Sequence, residues 1–241
     1  MAVPPYLQPF VLPLAEARRD RDGSLDFYWP DGSDAENLPA IVFVHGGPVP
    51  ADRRPTPRDW PVYVGYGSLA ASRGVLGVTV DHRLHSVDDF PLAAADVAAA
   101  VERVRKLAGV DRDRVALWFF SGGGLLAADW LASPPPWLRC LAASYPVLAP
   151  PSGELDARFR PVEAVQAAGA LPIMLTRVGR ERAEIAATVE AFLAEAELRQ
   201  VQVKVIDVPE GQHAFDVLDH TASSRAAVRE AMSWVVTTLR R

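Results

Sequence analysis

The sequence has very little cysteine and no long apolar run, and these two absences exclude several classes of protein. Cys140 is the only cysteine among 241 residues, so an intramolecular disulfide and a cysteine-rich metal site are both excluded. No hydrophobic run reaches the length of a membrane span. The N-terminus lacks a basic region followed by an apolar core, so it has no evident secretory signal. We therefore expect a cytoplasmic protein with no membrane partner.

The chain also has no excess of positive charge. Its formal net charge is −5, which argues against nucleic acid as a partner. Hydrophobic residues make up 49% and charged residues 23%, as in ordinary globular proteins. A chain of this length can bury a large core without disulfides. We predict a single domain over residues 1–241, and the sequence is silent on its oligomeric state.

Apolar strands alternate with helical patterns along most of the chain. A helix capped by Asp88 or Asp89 and closed by Gly109 lies between two of these strands. This alternation predicts a mostly parallel sheet with helices on both faces, and residues 146–160 are too few for a large lid. The other predicted helices cover residues 62–72, 183–198 and 222–239, with one more after residue 121. The predicted strands cover residues 24–29, 39–44, 75–80, 115–120, 140–144, 172–178 and 201–208.

Ser121 lies in the most informative local pattern of the sequence. It follows the wholly apolar run 115–120, precedes the three glycines 122–124, and is followed by a helical pattern. A serine between a buried strand and a helix is typical of a nucleophile elbow, which holds the hydroxyl clear of the backbone. The alternative is that Ser121 only caps the following helix, as serine often does.

A nucleophilic serine needs a histidine to take its proton and a carboxylate to orient that histidine. His213 lies just past the last predicted strand, and Glu181 lies just past the strand before it. The order Ser121, Glu181, His213 is the one expected when these loops meet at the carboxyl edge of a parallel sheet. Glu184 and Asp207 are the alternative acids. Glu181 is surrounded by arginines in sequence, so a surface ion-pair cluster is the alternative role for it.

Backbone N–H groups at the same edge are candidates for binding an oxyanion. Gly46 or Gly47 can supply one N–H group after the strand at 39–44, and Gly122 can supply the other. Loop 48–61 carries Arg53, Arg54 and Arg58, which either bind an anionic substrate group or remain solvated. Three aromatic residues beside predicted strand ends, Phe120, Tyr145 and Phe215, are candidates for an apolar pocket, and so is Trp60 of loop 48–61.

Four short motifs, in this order, resemble the α/β-hydrolase superfamily, in particular its compact dienelactone-hydrolase-like and carboxylesterase-like members. They are His45-Gly46-Gly47, Asp81-His82-Arg83-Leu84, Ser121-Gly122-Gly123 and His213-Ala214-Phe215. The resemblance runs from about Pro39 to the C-terminus. It implies an α/β-hydrolase fold and a serine esterase that acts on a small-molecule ester through an acyl-enzyme. Together with the residues above, it predicts a triad of Ser121, His213 and Glu181, and it implies neither a metal nor an organic cofactor.

Two positions depart from the pattern of that superfamily. Phe119 stands where the first glycine of Gly-x-Ser-x-Gly is usual, and Glu181 stands where compact members commonly carry aspartate. These departures leave a non-catalytic binding protein of the same fold as an alternative. A peptidase and a thioesterase are also alternatives, because their acyl transfer uses the same residues. A dinucleotide site is a further alternative, since Gly122, Gly124 and Ala127 fit G-x-G-x-x-A. However, the next strand ends at Tyr145 without the required acid.

Overall fold

Strands and helices alternate in the computed structural model, which describes residues 3–32, 37–150 and 155–241. The strands of these residues are β1 Arg18–Asp22, β2 Leu25–Trp29, β3 Leu38–Val44, β4 Leu76–Val80, β5 Val110–Phe120, β6 Leu138–Ser144, β7 Ile173–Arg180 and β8 Val203–Gln212. The helices are α1 Pro61–Ala71, α2 Phe90–Arg105, α3 Ala128–Ala132, α4 Pro161–Ala164, α5 Ala183–Leu198, α6 Phe215–Leu218 and α7 Ala222–Leu239.

The described strands form one sheet in the order β1-β2-β4-β3-β5-β6-β7-β8. The strands from β4 across to β8 pair in parallel, whereas β1 and β2 join the edge beside β4 in antiparallel pairs. The predicted α/β architecture with a mostly parallel sheet is thus confirmed. Strand β1 was not predicted, because its sequence is Arg-Arg-Asp-Arg-Asp and its side chains are largely exposed.

The sheet is buried on both faces, and β5 contributes to the core on each of them. Leu117 and Phe119 belong to the hydrophobic cluster that includes the apolar face of α2. Trp118 and Phe120 belong to the cluster on the other face, which includes α1 and α7. Successive side chains of a strand point to opposite faces, so a strand covered on both sides is apolar throughout. This burial holds β5 in place. It therefore fixes the position of Ser121, which directly follows the strand.

The chain after Ser121 differs from the predicted helix. Residues Ser121–Ala127 form a 3-10 helix, and only then does the short helix α3 follow. Glycine has a low helix propensity, and Gly122, Gly123 and Gly124 each pack against backbone carbonyl groups. Close packing and weak propensity together account for the tighter turn at this point.

Two further predictions concern helix caps and a lid. Asp89 precedes α2, but its carboxylate accepts hydrogen bonds from the N–H and hydroxyl groups of Ser86, in a capping box on the preceding 3-10 turn. The prediction of no large lid falls partly outside the described residues, because residues 151–154 of the segment 146–160 are not described. No helix of the described ranges is long and apolar enough to cross a bilayer.

Candidate active site

Three predicted site residues lie together at the carboxyl edge of the sheet. Ser121 directly follows β5, Glu181 directly follows β7, and His213 directly follows β8. Ser121 Oγ lies 2.7 Å from His213 Nε2, and His213 Nδ1 lies 2.5 Å from Glu181 Oε2. Because a carboxylate only accepts, Nδ1 carries the proton and Nε2 is left to accept from the serine hydroxyl. This tautomer can withdraw a proton from Ser121.

Ser121 has a strained backbone conformation, in a turn that packs closely against glycines. Its φ angle is 50°, in the left-handed region that non-glycine residues rarely adopt. A Cβ atom added to Gly46 would lie 2.9 Å from the Cβ of Ser121, and one added to Gly122 would lie 2.2 Å from the carbonyl oxygen of Gly47. The turn therefore has the sharp geometry of a nucleophile elbow, with its hydroxyl directed to His213.

The arginines near Glu181 form ion pairs with other carboxylates. Arg177 pairs with Asp207 and Glu190, and Arg180 pairs with Glu210. The side chain of Glu181 is only 4% exposed, and its second oxygen accepts a hydrogen bond from the backbone N–H of Arg182.

Neither alternative acid takes the place of Glu181 beside His213. Glu184 approaches Arg182, and Asp207 holds Arg177. The expected ion-pair cluster therefore exists, but Glu181 lies outside it and contacts His213 instead.

The backbone N–H groups predicted to bind an oxyanion lie beside Ser121. Gly46 is in contact distance of Ser121, and Gly122 follows Ser121 directly at the start of the 3-10 helix. The N–H of Gly46 donates a hydrogen bond of 3.3 Å to the hydroxyl of Tyr63. A substrate oxygen that used this N–H group would therefore displace or share the tyrosine hydroxyl.

Comparisons with known proteins agree with this fold. Solved structures superpose on nearly the whole chain at low sequence identity. The structure of DphMB1 gives a TM-score of 0.74 at 21% identity, over 94% of this chain and 88% of that one. Carboxylesterase EstE1, cloned from a metagenomic library, gives 0.70 at 21% identity, over 95% of this chain and 91% of that one. Esterase 2 of Thermogutta terrifontis, phosphorylated by paraoxon, gives 0.69 at 18% identity, over 92% of each chain.

The chain has the α/β-hydrolase fold that these esterase structures share. The BD-FAE family model matches residues 25–131. Prolyl endopeptidase FAP of Mus musculus is 28% identical over 159 residues, which make up 58% of this chain and 20% of the mouse protein. The match therefore spans about one fifth of that relative's length.

Phe119 is accommodated in this fold by the packing of the core. Its side chain is fully buried, in the same cluster as Leu125 and Leu126 of the turn that follows the serine. The close approach that a small residue usually allows occurs instead at Gly123, where an added Cβ atom would lie 2.4 Å from the carbonyl oxygen of His45. The elbow keeps its shape although the usual first glycine is absent.

A cavity of about 330 Å³ opens beside Ser121 and His213. The predicted pocket residues Trp60 and Tyr145 line it. Phe120 and Phe215 do not line it, because both are fully buried in the core. Their rings instead support lining residues from behind, Phe120 against Tyr63 and Phe215 against Tyr145.

Sequence reasoning missed Tyr6, which forms part of the cavity wall. The N-terminal segment brings it there, and its ring contacts Trp60 at a centroid distance of 4.9 Å. No local sequence pattern predicts this contact, because Tyr6 lies far from Trp60 in sequence and outside any strand.

The described wall of the cavity carries no carboxylate, ammonium or guanidinium group, because none of its lining residues is Asp, Glu, Lys or Arg. The arginines of loop 48–61 have other contacts: Arg58 pairs with Asp81, and Arg53 donates to the hydroxyl of Tyr6. Nor do the described residues contain a group of three side chains able to hold a metal ion.

Proposed function

We propose that this protein is a serine hydrolase that cleaves small carboxylic esters through an acyl-enzyme. The observation that carries the proposal is the hydrogen-bonded chain from Ser121 through His213 to Glu181. A hydroxyl with a basic nitrogen 2.7 Å away and a carboxylate behind that nitrogen is the arrangement that activates serine for attack on a carbonyl group. The strained φ angle of Ser121, as expected at a nucleophile elbow, supports the same role.

In the proposed reaction, Ser121 Oγ attacks the ester carbonyl while His213 Nε2 takes the hydroxyl proton. The negative charge that develops on the carbonyl oxygen is bound by the N–H groups of Gly122 and of Gly46 or Gly47. Loss of one such donor typically costs about 3 kcal/mol of transition-state stabilisation. His213 then gives its proton to the leaving alcohol, and the acyl group remains on Ser121.

The second half of the reaction releases the acid. Water enters the place of the alcohol, and His213 takes one of its protons as the oxygen attacks the acyl-enzyme. The proton passes back to Ser121 Oγ as the acyl–oxygen bond breaks. Glu181 keeps the imidazole in one tautomer throughout and stabilises its protonated form. These steps need neither a metal ion nor an organic cofactor.

The cavity supports an uncharged substrate of modest size. Its described lining provides aromatic and aliphatic surface from Tyr6, Trp60, Tyr63 and Val217, and it offers no ion pair to a charged group. An apolar wall with few polar groups favours neutral acyl or alcohol groups. The peptidase alternative is favoured by one observation, the 28% identity to the mouse prolyl endopeptidase.

A panel of p-nitrophenyl esters from acetate to laurate, with the matching p-nitroanilides, tests this proposal. We expect the highest kcat/KM for short acyl chains and a steep fall for long ones, because the cavity holds about 330 Å³. The anilides should be poor substrates. Faster hydrolysis of the anilides would favour the peptidase, and no hydrolysis above the Ser121→Ala background would favour a non-catalytic protein of this fold.

A further inference from the structure

Asp216 is a buried carboxylate that the proposed mechanism leaves unused. It lies three residues after His213, in α6, and its side chain has no solvent exposure. Its partners are tyrosine hydroxyls: Tyr145 donates at 2.9 Å to one carboxylate oxygen, and Tyr66 donates at 3.0 Å to the other. Neutral hydroxyls satisfy the oxygen atoms, but they do not balance a buried charge.

Asp26, the other fully buried aspartate of the core, shows the contrast. Its carboxylate receives a hydrogen bond from Arg21 at 2.7 Å and lies 3.5 Å from Arg19 and 3.7 Å from Arg58. The charge of Asp26 is therefore neutralised by arginines in a structural ion-pair cluster. Asp216 is held in a place where its charge raises the free energy of the folded state.

This buried charge has a cost in the folded state. Burial raises the pKa of Asp216 to about 6, against the lowering effect of the hydrogen bonds from Tyr145 and Tyr66. A carboxyl whose pKa is higher in the folded state stabilises the fold below the pKa of the unfolded chain, and this contribution is lost as pH rises through about 6. Above that pH, the ionised carboxylate of Asp216 lowers the free energy of unfolding.

Asp216 is connected to His213 through Tyr145. The Tyr145 ring contacts the His213 ring edge-on, with centroids 5.0 Å apart, while its hydroxyl is fixed by Asp216. The titratable groups that act on Asp216 are Tyr63 and Tyr66 of α1, Tyr145 after β6, and His213 after β8. The N-terminal segment that packs beside it contributes the apolar Val11. Of these groups, His213 is the one whose protonated form is a cation.

We propose that Asp216 is a positioning residue for the proposed reaction, whose buried negative charge stabilises protonated His213 in addition to Glu181. The inference rests on the proposed role of His213 as the base. Each catalytic half-reaction creates an imidazolium beside Tyr145, and an uncompensated carboxylate in a low-dielectric interior attracts it more strongly than a solvated one would. Through the same contacts Asp216 holds the Tyr145 ring against His213.

The test is Asp216→Asn, which removes the charge and keeps an oxygen and a polar group for the two tyrosines. We expect kcat/KM on p-nitrophenyl acetate to fall about tenfold and the acid limb of its pH profile to move to lower pH by about half a unit to one unit. Thermal stability at pH 8 should be unchanged or higher, because the variant no longer buries a charge. A purely structural role predicts the opposite: a lower Tm and an unmoved profile.

Asp26→Asn is the matched control, since it removes a buried charge that arginines neutralise. It should lower the Tm and leave the pH profile in place. NMR titration of the His213 ring gives a readout independent of activity, and its midpoint should be lower in Asp216→Asn than in wild type. An equal midpoint and an unmoved profile would overturn the inference. If the wild-type protein showed no Ser121-dependent hydrolysis, the proposed function would be refuted instead, whatever the NMR midpoint.

Discussion

Replacing Ser121 by alanine is expected to lower kcat/KM on p-nitrophenyl acetate by at least about 10⁴-fold. The substitution removes the oxygen atom that would form the acyl-enzyme, so only binding and the oxyanion donors remain to assist attack by water. The fold should be retained, because alanine fits within the volume of serine and adds no atom near Gly46. Initial rates on purified wild type and variant, with circular dichroism on both, measure the effect.

Ser133→Ala is the matched control for this substitution. Ser133 directly follows α3 and is exposed, so its loss should leave kcat/KM within about twofold of wild type. If Ser121→Ala retained more than a few per cent of the activity while folded, Ser121 would be no more than the first residue of a turn. The hydrolysis would then have another origin.

Replacing Glu181 by glutamine is expected to lower kcat by about 10³- to 10⁴-fold. Glutamine keeps the size of glutamate, but its amide N–H₂ group can donate to Nδ1 and so stabilise the tautomer whose Nε2 carries the proton. That tautomer cannot take the proton of Ser121, and the imidazolium loses its partner at 2.5 Å. The hydrogen bond from the Arg182 N–H to the side-chain oxygen can be kept, which limits any structural change.

Glu184→Gln and Asp207→Asn are the controls that identify the acid. Both residues belong to surface ion pairs with arginines, and exposed pairs contribute little to stability. Each variant should therefore keep nearly all of the wild-type activity. A loss in either control as large as that in Glu181→Gln would assign the orienting carboxylate elsewhere, in contradiction to the contact with His213.

The parts of the site that lie at strand ends were predictable from the sequence. Parallel strands buried on both faces are apolar throughout, so β5, β7 and β8 can be found, and their loops must meet at one edge. Ser121, Glu181 and His213 follow these strands directly. Their side-chain contacts depend on the strained turn at Ser121 and on the burial of Glu181, for which the sequence carries only the glycines as a signal.

The rest of the site depends on contacts between distant segments. Tyr6 reaches the cavity because the N-terminal segment is anchored by Val11, whose N–H bonds to the carbonyl of Asp216. The burial of Asp216 depends on Tyr66 and Tyr145, which belong to different elements. A charged residue three positions after a histidine looks like a surface residue in the sequence. Only the packing of these elements reveals that its charge is buried.

Labelling with a fluorophosphonate, followed by peptide mapping, tests the central claim most directly, namely that Ser121 is a nucleophile activated by His213. The account predicts one phosphonyl group per chain, attached to Ser121, with no labelling in Ser121→Ala and labelling slowed by orders of magnitude in His213→Ala. Attachment to another residue, or equal labelling of wild type and Ser121→Ala, would contradict it.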